Sequence, residues 1–190
     1  MRLFPPIANA KAAKAANDHG VHMADLTDGF TMVLGPDEGE GFWQPQPSHG
    51  YAINKITPYN SPHNSFSLGI QVLEPGAHIR RHAHERQDEV LFCYEGKGRA
   101  DVGGKMYDVV PETTLLLGRN VFHKIENTGD KQMRLLWVIL PAGLEDWFAD
   151  IGKPRQPSEP LPPAFERPHN VDQIEAMVRL VQLQVSDKDD

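Results

Sequence analysis

Thiols are almost missing from this chain, whose 190 residues include Cys93 as the only cysteine. An internal disulfide is therefore excluded, and so is a structural zinc site built from several thiolates. Long apolar runs are missing too, and none approaches the roughly 20 residues that a membrane-spanning helix needs. The stretch from Met1 to Ala10 carries a small-x-small pair that mimics a cleavage site, but Pro5 and Pro6 break its short apolar segment. That argues against a secretory leader. Positive charge is also in short supply, with 19 basic against 26 acidic residues and a net charge of −7. No basic stripe or arginine–aromatic cluster offers a footprint for a phosphate backbone, and no helix-turn-helix signal is present. These absences point to a cytoplasmic protein with no nucleic-acid partner and no membrane partner.

What the chain has in quantity is turn chemistry. Its 16 glycines and 16 prolines are too many for a helical bundle and suit a turn-rich β protein. The length predicts one domain with extensions, laid out as residues 1–50, 51–141 and 142–190. In the first part, the alanine- and lysine-rich residues 8–17 predict a short helix. Residues 34–50 read as loop, because Gly35-Pro36-Asp37 is a turn and prolines break residues 43–47. This loop is either an arm or cover over the rest of the chain, or a surface connection anchored by Trp43.

From residue 51 to 141 the pattern is one of short strands, at 51–56, 65–73, 77–84, 89–94, 98–102, 105–110, 113–117, 121–127 and 133–140. Turn residues separate nearly all of them, with a hairpin at Gly103-Gly104. Such spacing predicts an antiparallel sandwich or barrel. Beyond it come a short helix at 144–151, a proline-rich linker at 154–163, and a final helix capped by Asn170 and running to about 185. Ile174, Met177, Val178 and Val181 form one face of that helix and are expected to dock on the chain's own barrel.

The chemistry-bearing residues cluster inside this strand series. His82 and His84 stand at i and i+2, so on a strand they point to the same face, about 6–7 Å apart. Glu89 follows across a tight turn, where the next strand can bring it back beside them. The whole spacing is Gly76-x5-His82-x-His84-x4-Glu89-x6-Gly96. Given the chain's 16 glycines and 9 histidines, the pattern arises by chance in roughly two of ten thousand such chains. It resembles the first signature motif of the cupin superfamily at every position.

The second cupin motif, G-x5-P-x-G-x2-H-x3-N, is matched in spacing by Glu112-x5-Gly118-x-Asn120-x2-His123-x3-Asn127. His123 and Asn127 keep the family's identities, while Glu112, Gly118 and Asn120 replace a glycine, a proline and a glycine. Asparagine tolerates positive φ best among the non-glycine residues, so Asn120 can make the same turn. The resemblance covers residues 65–141 and implies an all-β jelly-roll barrel or sandwich with an N-terminal extension and C-terminal helices. It further implies a metal held by His82, His84, Glu89 and His123, a small-molecule substrate, and a homodimer.

Three imidazoles and a carboxylate suit Fe(II), Mn(II), Ni(II), Co(II) or Zn(II), and octahedral coordination would leave two positions open. Those positions could take a small oxygenated ligand in bidentate fashion, or a monodentate one beside O2. Cupins include dioxygenases, isomerases, epimerases, lyases, decarboxylases, sugar-binding regulators and storage proteins, so fold alone does not name the reaction. The favoured expectation is a quercetin-dioxygenase-like enzyme that uses Fe(II) to cleave a C–C bond of a dicarbonyl, hydroxyketone or phenolic substrate. The alternatives are a non-redox isomerase, lyase or decarboxylase acting on a hydroxy or keto acid, and a sensory cupin that binds its ligand without turnover.

The catalytic residues stay unassigned, with Arg80 and Tyr107 as candidates and Glu95 as a further proton shuttle. Strand parity places Leu91 and Cys93 inward with Glu89, which makes Cys93 a wall residue and not a nucleophile. The same parity places Ile125 with His123. Tyr107 and Trp137 are candidates for an aromatic wall or for core packing. His19, His22, His49, His63 and His169 lie outside the motifs and read as surface residues.

Overall fold

Glycines in the left-handed region, among them Gly76, Gly96, Gly103 and Gly104, punctuate short extended segments along this chain. The computed structural model describes residues 29–182; the helix expected at 8–17, His19, His22 and the last residues of the expected C-terminal helix lie outside that range. Residues from Leu34 onward belong to one compact unit, which carries every element named below.

The elements run β1 (Glu40–Gln44), β2 (Gly50–Ile56), β3 (Ser67–Leu73), β4 (His78–His84), β5 (Asp88–Glu95), β6 (Gly98–Val102) and β7 (Lys105–Val109). They continue with β8 (Thr114–Leu117), β9 (His123–Asn127), β10 (Met133–Leu140), α1 (Glu145–Ile151), β11 (Lys153–Arg155), α2 (Val171–Met177) and β12 (Leu180–Gln182). Two antiparallel sheets result, a seven-stranded one in the order β11-β1-β2-β3-β10-β5-β8 and a five-stranded one in the order β12-β4-β9-β6-β7. This is the all-β jelly roll expected from the strand series.

Period-two alternation builds the interior. Along β10, Met133, Leu135, Trp137 and Ile139 are buried while their neighbours are half-buried or, at Leu140, exposed. Along β5, Glu89, Leu91 and Cys93 share the buried face, as parity predicts. In β3 the inward set is the small and polar one, since Ser67, Gly69 and Gln71 are all buried. Trp137 explains this: a Cβ on Gly69 would stand 2.3 Å from Trp137 Cζ2, so the large indole leaves room for little else. Val72 and Ile70 of β3 belong instead to a second cluster with Trp43, Tyr51, Ile53 and Phe165.

Three segments depart from expectation. The loop at 34–50 contains β1, which pairs with β2 on one side and β11 on the other; the prolines break the chain only after Gln44. The linker contains β11, whose Pro154 lies opposite Phe42 on the outer edge of the sheet. An edge strand tolerates a residue without an N–H donor. The final helix stops at Met177, Arg179 takes a left-handed φ of 58°, and Leu180–Gln182 pairs with β4. Val181 therefore sits on a strand, and Met177 is 60% exposed. Of the expected apolar face, Ile174 is buried in the core and Val178 packs against it.

Both non-glycine residues at the family's glycine positions take the left-handed backbone, Glu112 with φ 76° and Asn120 with φ 61°. The altered letters of the second motif thus keep the local conformation. Asn127 acts as a clamp there: its Nδ2 donates to the carbonyls of Leu73 and Lys131 at 2.9 and 2.8 Å, and its Oδ1 accepts from Gly129 N–H at 3.0 Å.

Candidate metal centre

His82 and His84 project from β4, His123 from β9, and Glu89 from β5 of the facing sheet. The tight turn after His84 returns the chain as β5, which sets Glu89 across the interior from the histidines. His82 and His123 are direct register partners. A backbone bond from Asn120 N–H to the His84 carbonyl at 2.9 Å ties the turn before His123 to the end of β4. One possible ligand atom from each of the four side chains lies within 4.8 Å of all the others, and all four residues are buried.

Hydrogen bonds select the tautomers. His82 Nδ1–H donates to the Arg80 carbonyl at 2.8 Å, and His123 Nδ1–H donates to the Val121 carbonyl at 2.9 Å. Each ring is thereby oriented with its Nε2 lone pair available to a metal. His123 Nε2 and His84 Nε2 lie 3.2 and 3.3 Å from Glu89 Oε2. His123 Nε2 and His84 Nδ1 are buried without an aligned hydrogen-bond partner, a costly arrangement unless something else satisfies them.

The electrostatics agree with a cation site. Burial, reinforced by the neighbouring imidazoles His123 and His84, holds the His82 pKa well below its usual value. Burial alone would raise the Glu89 pKa, but the adjacent His123 and His84 outweigh it and keep the carboxylate ionised well below its ordinary range. For His123, burial favours the neutral ring, yet the Glu89 carboxylate prevails and raises the pKa. Three imidazole nitrogens and an ionised carboxylate, with buried lone pairs unmatched, fit one divalent ion of the first transition row or zinc.

A cavity of about 40 Å³ adjoins the cluster. Leu91 of β5 and Leu144, Trp147 and Phe148 around α1 form its apolar wall, while Gln71, Arg80 and Arg167 bring polar groups to it. Arg80 thus reaches the site, where it pairs with Glu175 at 3.1 Å. Tyr107 does not line the cavity; it stands 47% exposed on β7. Glu95 lies at the exposed end of β5, 3.7 Å from Arg134. Cys93 does not line the cavity; it is 1% exposed in the hydrophobic core, and burial pushes its thiol pKa up. Trp137 packs in the core, stacked on Phe148 at 5.3 Å between ring centroids, and Ile125 is buried behind His123. His63 and His169 are exposed and His49 is half-buried, all outside the cluster.

Sequence reasoning missed Arg167 and the α1 wall. No local signal marks them, because their place depends on how the segment after β10 folds back over the barrel mouth.

A family model described as a cupin domain matches residues 69–139. Polyketide synthase CurC of Streptomyces cyaneus is 24% identical over 86 residues, covering 45% of this chain and 56% of that protein. Tetracenomycin polyketide synthase protein TcmJ of Streptomyces glaucescens is 31% identical over 98 residues, covering 50% of this chain and 66% of that protein. The chain thus matches little more than half to two thirds of the length of these curated relatives. Among solved structures, a predicted oxalate decarboxylase from Thermotoga maritima has a TM-score of 0.52 at 21% identity, covering 58% of this chain and 99% of that one. A sugar phosphate isomerase from Silicibacter pomeroyi also has a TM-score of 0.52, at 20% identity, with 59% and 77% covered. At such identities the likeness is one of fold. Among the described residues, no helix is long and apolar enough to cross a membrane.

Proposed function

The chain belongs to the cupin superfamily through its domain at residues 69–139, and on that premise we propose that it is a metal-dependent enzyme whose His82, His84, Glu89 and His123 hold one divalent ion. The reaction we propose is dioxygenation, with iron(II) as the metal and cleavage of a C–C bond in a small dicarbonyl, hydroxyketone or phenolic substrate. A divalent ion there supplies Lewis acidity and, as iron(II), redox chemistry with O2.

The observation that carries this reading is the cavity wall. Among the described residues, its only imidazole and carboxylate groups are His82, Glu89 and His123 of the cluster itself, and most of the remaining wall is apolar. A chemistry that depends on a separate general base has few groups to use, whereas an oxygenase needs a dry, shaped chamber. The residues' own contributions follow from geometry. Arg80 and Val121 carbonyls fix the two rings that meet across β4 and β9, Glu89 supplies the negative charge, and Leu91, Leu144 and Trp147 exclude water. The test is oxygen consumption by the iron-loaded protein offered compounds of those three classes. Absence of uptake with every metal tried would remove the proposal.

A second reading, a non-redox isomerase, lyase or decarboxylase acting on a hydroxy or keto acid, fits the same ligand set, because the Lewis acidity of a divalent ion needs no O2. Glu175, paired with the cavity-lining Arg80 at 3.1 Å, is then a candidate to move a proton. Turnover under strict anaerobiosis would decide for it.

A further inference from the structure

The inward face of β3 presents one residue that core packing does not explain. Gln71 is 5% exposed and lines the cavity beside the candidate metal centre. Among the described residues its amide has no hydrogen-bond partner. Its register partners on either side are Ala52 of β2 and Leu135 of β10, both apolar and buried. A primary amide offers two donors and an acceptor, and burying it among apolar groups with none of them engaged is costly.

Buried amides on the neighbouring strands behave differently. Gln44 Nε2 donates to the carbonyls of Phe42 and Phe148, both at 3.3 Å, and Asn54 Nδ2 donates to the Glu145 carbonyl at 3.0 Å. These two tie β1 and β2 to α1. Gln87 also has an unpaired Oε1, but it does not line the cavity. Among the described residues, Gln71 is the one buried amide that both lines the cavity and lacks a protein partner. The register also separates it from the cluster. Glu89 stands opposite Ile139, and Ile139 opposite Ser67, while Gln71 lies four residues beyond Ser67 on β3, about 13 Å along the strand.

We infer that Gln71 is a specificity-determining residue of this cavity, its amide hydrogen-bonding an uncharged carbonyl or hydroxyl oxygen of the substrate that lies apart from the oxygens offered to the metal. This rests on the reading that the cavity is the substrate site, and it narrows the substrate to one with an oxygen substituent remote from its metal-binding end. A site built to hydrogen-bond an oxygen rejects the analogue that lacks it, because the amide is then left unpaired. Methionine matches glutamine in length and would suit the apolar surroundings better. The amide is therefore explained by what it binds, and packing does not require it.

Titration of the full-length, cobalt(II)-loaded protein under nitrogen, followed by its visible spectrum, tests this without any turnover. The probes are protocatechualdehyde and homocatechol, two catechols of one shape that carry a formyl and a methyl group at the same remote position. Gln71→Met is expected to weaken the aldehyde about fivefold or more relative to homocatechol, the usual loss for one hydrogen bond, with cobalt affinity unchanged. Gln71→Asn keeps the amide but draws it back, so it is expected to fall between Gln71→Met and wild type. The urea midpoint of metal-free Gln71→Met should equal or exceed that of wild type, because the variant removes an amide that no protein group satisfies; a purely structural glutamine would give a lower one. Equal weakening of both catechols, no weakening of either, no binding of the aldehyde by cobalt-loaded wild type, or a lowered midpoint would overturn the inference. If wild type takes up no cobalt, the metal reading fails and the inference falls with it, a result that stands apart because no catechol enters it.

Discussion

His82 on β4 and His123 on β9 are register partners whose ring centroids lie 4.2 Å apart, and each ring donates through Nδ1 to the carbonyl two residues before it on its own chain. The two motifs that carry them are distant in sequence. Their meeting depends on β4 and β9 being neighbours in the five-stranded sheet. The shared tautomer leaves Nε2 of both rings available to a metal.

Metal uptake is expected to release protons. In the metal-free protein Glu89 raises the His123 pKa, so near neutrality part of the population carries a proton that a metal must displace. His82, held well below its usual value, carries none there. Affinity should therefore fall as the pH drops through the raised His123 pKa, and recover above it, where the ring is already neutral. Calorimetry in buffers of differing ionisation enthalpy measures the protons released. Metal analysis of His82→Ala and His123→Ala should show loss of bound metal in both, and full metal content in both would contradict the proposed centre.

The turn at Asn120 requires a left-handed backbone, with φ 61°, and its N–H supports the end of β4 at His84. Asn120→Gly should be close to neutral in stability. Asn120→Val should cost about 1–2 kcal/mol, the usual penalty for an L-residue forced into this region. Urea unfolding of the two variants reads the difference, and equal midpoints would show that the strain is relieved elsewhere.

Gly69 is a packing requirement. A methyl group there would stand 2.3 Å from the Ile53 carbonyl oxygen and 2.3 Å from Trp137 Cζ2. Neither neighbour is a flexible chain end, so Gly69→Ala should destabilise by about 1–3 kcal/mol, the range for overpacking a core. The paired variant Gly69→Ala/Trp137→Phe should recover part of the loss, as measured by denaturant titration.

Cys93 should be chemically silent. Its thiol is 1% exposed, and burial raises its pKa, which disfavours the reactive thiolate. A thiol-specific chromogenic reagent should label it slowly in native protein and rapidly after denaturation. Cys93→Ala should retain metal content. Fast labelling of the folded protein would show that the β5 wall opens.

Between residues 51 and 140 the strands are legible because local chemistry and global packing agree. Turn residues bound each strand, and alternation tells which side chains share a face, so Leu91 and Cys93 follow from Glu89, and Ile125 from His123. Where the agreement fails, so does legibility. β1, β11 and β12 are edge or near-edge strands of a few residues, formed by pairing with distant partners. Leu180 and Val181 fit a helical spacing as well as an extended one, and the open edge of β4 selects the strand. The polar groups at the cavity are in the same position. Arg80 stands two residues before His82 on the same strand and is a candidate from the sequence, but Arg167 and Glu175 come from a segment whose path no local pattern encodes.

By itself, then, the amino-acid sequence singled out the four residues that the fold gathers into one cluster able to hold a metal ion, and the extended character of the segments that carry them. Within each motif, residue identity and strand periodicity are local properties, written in spacings of a few residues. Tertiary structure alone decided the rest. It brought Glu89 opposite three histidines from another sheet, turned the polar side of β3 inward beneath Trp137, and laid Arg167 and Glu175 over the mouth. Those arrangements depend on which strand edges pair and which volumes fill, and both are settled only when the two sheets close on one another.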